Sequence, residues 1–289
     1  MKGQLFRTFV QSAKAGCLLR LAPTPSGYLH TGNALNFVLN WLTARSTNSR
    51  LLLRIDDLDA ERKRPEYVQD VFDSLDWLGL DWDEGPRSPG DFENNWSQHL
   101  RIPLYHKQLE QLRDTGLLFA CRKSRSELAH FAGEYPAAFR EQGLSLDEQD
   151  VSWRIKTPPD FPLPDFVVRR RDGLPAYQIA SMADDIFFGV THIIRGMDLE
   201  PSTQAQQWLA SCINNDNFLK IKFLHHPLLL DSSGEKLSKS AGSTSLQAMR
   251  AAGGKPEKVF QQCAIALGLP SEGINSAQGL LERFDGLMV

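Results

Sequence analysis

The chain has 289 residues, of which 42% are hydrophobic and 23% are charged, and its formal net charge is −3. This composition is that of an ordinary soluble globular protein, and the length favours one large or two modest domains. The charge balance does not indicate nucleic-acid binding, although a local basic face can coexist with an acidic total. No apolar run approaches membrane-spanning length, and the N-terminus lacks the apolar core of a signal peptide.

Cysteine usage and the N-terminus both favour a cytoplasmic protein. The cysteines lie far apart, with no Cys-x-x-Cys pair, at Cys17, Cys121, Cys212 and Cys263. Such sparse usage predicts reduced thiols rather than a disulfide framework. Residues 1–17 are expected to form a loose leader of no assigned function.

The chain is organised around its first strand, turn and helix. An apolar strand at residues 18–21 is followed by a turn rich in Pro and Gly and by a helix at residues 35–42. This order places unpaired backbone N–H groups and the positive end of a helix dipole where a phosphate can bind. His30 can donate to an anionic oxygen, Gly32 permits close approach of a ring or a phosphate, and Asn33 can cap the helix.

A second buried strand is predicted at residues 50–55, and it ends at Asp56 and its acidic neighbours. Open α/β sheets bind ligands at the carboxyl ends of their strands, so these carboxylates are candidate ligand contacts. Capping of a helix is the alternative role for them. Apolar residues at helical spacing predict helices at residues 67–78 and 104–118.

The second half of the chain begins with strands predicted at residues 153–156 and 165–169. A helix starting near Tyr177 would place Tyr177 and Ser181 on one face. A further strand, at residues 190–194, delivers Arg195, whose guanidinium can hold a planar carboxylate bidentately.

The last predicted elements are an apolar strand, a polar loop and a helix. The strand covers residues 223–230 and the helix covers residues 259–267. Between them the loop carries Lys236 and Lys239, which are cations suited to a phosphate group.

Two of these segments resemble the paired nucleotide-binding signatures of class I aminoacyl-tRNA synthetases, usually written HIGH and KMSKS. Here they are His30-Thr31-Gly32-Asn33 and Lys236-Leu237-Ser238-Lys239-Ser240. Arg54-Ile-Asp-Asp-Leu-Asp59 is similar to a segment of glutamyl-tRNA synthetases that usually has Glu in place of Asp56. Residues 177–203 closely resemble the corresponding block of the truncated homologues known as glutamyl-Q tRNA(Asp) synthetases.

The resemblance implies an α/β fold: a Rossmann-type class I synthetase catalytic core with an α+β acceptor-binding insertion, a short C-terminal helical segment and no anticodon-binding domain. The implied organisation is a leader, the first half of the core, the insertion, the second half of the core, and the KLSKS loop with the C-terminal segment. Their boundaries are residues 1–17, 18–105, 106–165, 166–230 and 231–289.

The resemblance also implies a role for each matching residue. His30, Lys236 and Lys239 would be catalytic, and ATP would be bound by His30, Gly32, Asn33, Asp198, Lys236, Ser238 and Lys239. Glutamate would be bound by Arg20, Ala22, Thr24, Asp56, Tyr177, Ser181 and Arg195. The expected cofactors are ATP and Mg²⁺.

The insertion of related proteins commonly holds zinc, and the matching positions here are Phe119, Cys121, Tyr135 and Phe139. One thiolate and one phenol cannot supply a tetrahedral zinc site. No zinc is therefore expected, and apolar packing is predicted in its place.

The implied activity is ATP-dependent activation of glutamate and transfer of the glutamyl group to queuosine in tRNA(Asp), in the cytoplasm and without a membrane partner. Three alternatives remain: a glutamyl-tRNA synthetase paralogue that charges a tRNA 3′ end, a non-catalytic RNA-binding descendant, or adenylate-dependent transfer to a protein or small molecule. The sequence is compatible with any oligomeric state.

Overall fold

The computed structural model describes residues 3–131, 135–227 and 245–287. Helices and strands alternate through the first half: α1 (Gly3–Ser12), β1 (Leu18–Leu21), α2 (Thr31–Ser46), β2 (Arg50–Leu53), α3 (Pro65–Leu78), the single turn α4 (Pro89–Asp91), α5 (Ile102–Asp114), β3 (Leu118–Cys121) and α6 (Arg125–Ala129). A π-helical turn and two 3-10 turns lie at Phe92–Trp96, Gln98–Arg101 and Ala137–Arg140.

The second half continues with β4 (Ser152–Ile155), β5 (Phe166–Arg169), α7 (Tyr177–Phe187), β6 (His192–Gly196), α8 (Glu200–Cys212), α9 (Asp216–Leu219), β7 (Lys222–His226), α10 (Leu246–Ala251), α11 (Glu257–Leu267) and α12 (Ala277–Asp285). A 3-10 turn, Met197–Leu199, follows β6. The chain divides into two compact units, and the predicted α/β class is confirmed. The first unit comprises Met1–Gln98, Val190–Leu199 and Ile221–Val289, and the second comprises His99–Gly189 and Glu200–Lys220.

Parallel strands and the helix α2 build the first unit. β1 pairs in parallel with β2, and β6 pairs in parallel with β7. The Thr191 N–H donates to the Leu18 carbonyl (2.9 Å), which links the two strand pairs. β1, β2 and β6 are almost wholly buried, as expected for parallel strands covered by helices, whereas β7 buries only Leu224 and His226. α2 buries every residue from Ala34 to Ala44 except Asn36.

The prediction of a loose leader is wrong. Residues 3–12 form α1, whose Phe6, Phe9 and Val10 are buried in the main core. The Phe6 ring packs edge-on against Phe284 of α12 at 5.5 Å between centroids. The apolar residues of this segment lie at helical spacing, so the helix has an apolar face that packs against the core.

The second unit is built on an antiparallel sheet of β3, β4 and β5, in that order, with helices α5, α7, α8 and α9. The predicted helix at residues 104–118 is too long at its C-terminus. α5 ends at Asp114, Gly116 adopts a positive φ of 70°, and Leu118 pairs with Ile155 in the sheet. The helical spacing of the leucines continues past the turn, so the pattern alone missed the break.

Candidate functional site

His30 caps the helix α2. Its Nδ1 accepts a hydrogen bond from the Gly32 N–H (3.1 Å), and the Asn33 Oδ1 accepts one from the His30 N–H (3.0 Å). This reciprocal pair is a capping box that satisfies two donors at the N-terminus of the helix. A neutral imidazole that accepts at Nδ1 carries its proton on Nε2, so His30 is oriented to donate from Nε2.

The His30 ring lies against Gly32 and leaves no room for a side chain at this position. A Cβ at this position would lie 2.9 Å from His30 Cε1 and 3.0 Å from Nδ1. The sequence predicts that Gly32 admits a flat ring or a phosphate, and the ring observed beside it is the imidazole of the same turn. Glycine therefore helps to set where His30 lies.

The two arginines predicted to bind glutamate lie in the first unit on buried strands. Arg20 of β1 is 4% exposed and Arg195 of β6 is 2% exposed. The Arg195 guanidinium lies over the Phe223 ring, 5.0 Å from its centroid. Of the pocket residues predicted after β1, Ala22 is half-buried and Thr24 is exposed.

Asp56 follows β2 and is buried beside its neighbour Arg54. The Arg54 Nε donates to Oδ1 (2.7 Å) and Nη2 donates to Oδ2 (3.0 Å). The Asp56 N–H donates to the Pro23 carbonyl (2.9 Å), which fixes this carboxylate beside the turn after β1.

Asp57, the next acidic residue, has a structural environment. It accepts hydrogen bonds from the Ser97 hydroxyl (2.7 Å), the Gln98 N–H (2.8 Å) and the Lys63 ammonium (3.1 Å). Burial of Lys63 opposes its charge, but hydrogen bonds to Glu93 and Asp57 outweigh this and raise the pKa of Lys63. Asp57 therefore has the capping role that was the alternative for these acids: it accepts a hydrogen bond from the first N–H of the 3-10 turn that begins at Gln98.

Tyr177 and Ser181 belong to the second unit, on α7. Tyr177 is 41% exposed at the start of the helix, and Ser181 is fully buried. Another carboxylate of this helix, Asp184, is held by Arg101 (2.7 and 3.0 Å) and by the Tyr105 hydroxyl (2.9 Å). Asp184 is therefore a structural ion-pair residue that ties α7 to the segment leading into α5.

His226, at the end of β7, connects three elements of the first unit. Its Nδ1 donates to the Pro227 carbonyl (2.9 Å), and its Nε2 accepts from the Asn36 amide (3.3 Å). The same Asn36 amide donates to the Ile194 carbonyl (3.0 Å). Burial lowers the pKa of His226, so it is neutral near pH 7, as this hydrogen-bond pattern requires.

One of the remaining residues predicted to bind ATP is exposed, and the others lie outside the described residues. Asp198 is exposed in the 3-10 turn after β6. The predicted residues Lys236, Ser238 and Lys239 lie outside the described residues. On the C-terminal side of that segment, Ser245 forms an antiparallel bridge with His30, and the Leu246 N–H donates to the Leu29 carbonyl (2.8 Å).

The four residues at the predicted former zinc position pack together in the second unit. Phe119, Cys121 and Tyr135 form a buried cluster against Phe139. The Tyr135 hydroxyl donates to the Cys121 Sγ (3.1 Å), and the Arg154 guanidinium lies 4.3 Å from the Tyr135 ring centroid. Burial opposes the thiolate, but hydrogen bonds from Tyr135 and Gln142 outweigh it and lower the pKa of Cys121.

Two chain-wide features are limited to the part of the structure that is described. No group of three or more His, Cys, Asp or Glu side chains there is arranged to hold a metal ion. No described helix is long and apolar enough to cross a membrane. All four cysteines are described, and each is a free thiol.

The family model for the catalytic domain of class I tRNA synthetases (E and Q) matches residues 17–149 and 145–285. The glutamyl-Q tRNA(Asp) synthetase of Parasynechococcus marenigrum is 40% identical over 91% of this chain and 87% of that protein. A glutamate–tRNA ligase of a Synechococcus strain is 34% identical over 88% of this chain, which covers 58% of that protein.

The fold likeness extends to a solved glutamate-tRNA synthetase from Elizabethkingia anophelis. The TM-score is 0.77 at 24% identity, over 94% of this chain and 66% of that one. The chain thus spans somewhat less than two thirds of the length of the full-length ligases it matches. From its sequence relatives and its fold, the chain belongs to the class I tRNA synthetases of the glutamate and glutamine type, and within them to the glutamyl-Q tRNA(Asp) synthetases.

Proposed function

We propose that this protein activates glutamate with ATP, forming glutamyl adenylate and pyrophosphate, and transfers the glutamyl group to the queuosine base of tRNA(Asp). The observation that carries the proposal is the 40% identity to a glutamyl-Q tRNA(Asp) synthetase over 91% of the chain. The buried arginines of β1 and β6 would hold the carboxylates of glutamate, and the His30 turn at the start of α2 would contact ATP.

In the first step the glutamate α-carboxylate attacks the α-phosphorus of ATP, the bond to the leaving pyrophosphate breaks, and no proton has to be removed. Catalysis therefore depends on positioning and on stabilising charge rather than on a general base. The His30 Nε2–H and the positive end of the α2 dipole would stabilise phosphate oxygens. Lys236 and Lys239 would offset the charge that develops on pyrophosphate. ATP enters as its magnesium complex, in which the ion is held mainly by phosphate oxygens and water.

Glutamate recognition would use opposite charges at both ends of the substrate. Arg20 and Arg195 would hold its carboxylates, since a guanidinium binds a carboxylate bidentately. Asp56 would receive the α-ammonium group. Ala22, Thr24, Tyr177 and Ser181 stay predicted glutamate contacts, as the family resemblance implies. Asp198 would meet the ribose, while Gly32, Asn33 and Ser238 would approach the nucleotide.

ATP–pyrophosphate exchange with each amino acid in turn, without tRNA, tests the activation step. The proposal requires exchange that depends on glutamate, and exchange with another amino acid only, or none, would refute it. The second step is followed with labelled glutamate and tRNA(Asp) that contains or lacks queuosine. After nuclease digestion, label recovered with the queuosine nucleoside places the glutamyl group on the modified base, whereas label recovered with the 3′-terminal adenosine would instead support a glutamate–tRNA ligase, the activity named for the 34% identical relative.

A further inference from the structure

A buried carboxylate lies directly behind the His30 turn. Asp70, in the middle of α3, is 2% exposed. Its Oδ2 accepts a hydrogen bond from the Leu29 N–H (2.9 Å), and its Oδ1 accepts one from Arg250 Nη2 (2.5 Å). One carboxylate thus holds the amide that precedes His30 and the guanidinium of another helix.

Arg250 connects the same turn to α10. Its Nη1 donates to the Ser74 hydroxyl (2.7 Å), one turn along α3 from Asp70. The first residue of α10, Leu246, donates its N–H to the Leu29 carbonyl (2.8 Å), and Ser245 bridges to His30. The peptide groups on both sides of Leu29 are therefore fixed by α3 and α10 together.

An apolar contact would hold these helices together at least as well. The rest of the buried face of α3 is mostly apolar, with Val68, Val71 and Leu75 in the core. Replacing a buried ion pair with well-packed apolar side chains is often neutral or stabilising, so this pair is not explained by stability alone. Unlike an apolar contact, a carboxylate that accepts a backbone N–H sets the direction of that peptide group.

We propose that Asp70 and Arg250 are positioning residues for His30: Arg250 orients the Asp70 carboxylate, and Asp70 fixes the Tyr28–Leu29 peptide group, one residue before the backbone that carries the imidazole. Neither residue is among the predicted substrate contacts. This inference rests on the proposed function, because it assigns the pair a role in the same reaction.

The test is the rate of glutamate-dependent ATP–pyrophosphate exchange in Asp70→Asn, Arg250→Gln and the double variant. An asparagine amide cannot accept from both donors, so we expect kcat to fall about tenfold in Asp70→Asn while the KM for glutamate changes less than about twofold. Since Arg250 acts through Asp70, the double variant should be no slower than Asp70→Asn within about twofold.

Asp165→Asn is the matched control. Asp165 is also a buried carboxylate that holds a guanidinium, Arg140 (2.7 Å), and a backbone N–H, that of Thr157 (2.9 Å), but it lies in the second unit. The free energy of unfolding of Asp165→Asn, measured by urea denaturation, should fall about as much as that of Asp70→Asn, while its kcat stays at the wild-type value.

Equal losses of kcat in Asp70→Asn and Asp165→Asn, or multiplicative losses in the double variant, would overturn the inference. If Asp70→Asn does not fold, Arg250→Gln decides alone, since Arg250 is partly exposed, and an unchanged kcat there is the overturning result. Absence of exchange in the wild-type protein would instead refute the proposed function. In that case the ¹⁵N resonances of the His30 imidazole still read its tautomer: a shift in Asp70→Asn and not in Asp165→Asn supports the positioning role, and identical spectra in all three proteins refute it.

Discussion

Gly32→Ala tests whether the position of the His30 imidazole matters. The added Cβ would lie 2.9 Å from His30 Cε1, whereas ordinary contacts lie at 3.4–4 Å. The ring therefore has to move by about 0.5 Å or more, which weakens the 3.1 Å bond that its Nδ1 accepts. The backbone at Gly32 does not have a positive φ, so alanine meets no backbone strain.

The magnitudes separate activity from stability. Alanine favours a helix over glycine by about 1 kcal/mol, and loss of the cap costs about 1 kcal/mol, so the free energy of unfolding should change by less than about 1 kcal/mol. Misplacing a positioned group by up to about 1 Å can cost about a hundredfold in rate, or about 2.7 kcal/mol in activation free energy. We therefore expect a nearly unchanged urea midpoint and a drop of about a hundredfold in glutamate-dependent pyrophosphate exchange.

The chain offers a matched control in Gly279→Ala. Gly279 lies in the first turn of α12, its N–H donates to the capping Ser276 hydroxyl (3.1 Å), and a Cβ there would lie 3.3 Å from that oxygen. This variant crowds a cap on a helix that carries none of the predicted site residues, so its exchange rate should equal that of the wild type. Wild-type exchange in Gly32→Ala, or equal losses in both variants, would refute the role given to His30.

Three other measurements test the buried histidines, the lysine loop and the aromatic cluster. Burial lowers the pKa of His192 and His226 below 6.5, so below that pH the folded state binds fewer protons than the unfolded chain. The free energy of unfolding should therefore be greatest above about pH 6.5 and decrease as the pH falls further. A pH-independent free energy of unfolding in urea denaturation would contradict this. Lys239→Ala should lower glutamate-dependent pyrophosphate exchange about a hundredfold or more, because a cation opposite developing charge is lost, and an unchanged rate would remove Lys239 from the mechanism. EDTA should leave the melting temperature unchanged because Cys121 and Tyr135 cannot supply a tetrahedral zinc site; metal analysis that finds stoichiometric zinc would show this wrong.

The elements that could be predicted are those with a strong local signal. Parallel strands β1 and β2 are short apolar runs, and α3 has apolar residues at helical spacing and ends at Gly79 in the left-handed conformation. The boundary of α5 was missed because the helical spacing of the leucines continues past the turn, and α1 was missed although its apolar residues lie at helical spacing. Leu118 pairs with Ile155, and Phe6 packs against Phe284.

The candidate site divides in the same way. His30, Gly32 and the arginines Arg20 and Arg195 were found from residue type, turn chemistry and resemblance, and their roles in binding stay predictions. Asp70 carried no signal of its own, since one acidic residue in an amphipathic helix is most often a solvated one.

The sequence by itself determined the α/β class, the family and the identity of the candidate ligands, because these depend on residue type and spacing along the chain. Only the tertiary structure decided that the imidazole at position 30 lies against Gly32, that the Leu29 N–H is held by Asp70, and that Asp70 is held in turn by Arg250. The physical reason is that hydrogen bonds and close contacts act over about 3 Å between residues far apart in the chain, and no local pattern records which distant partner will be there.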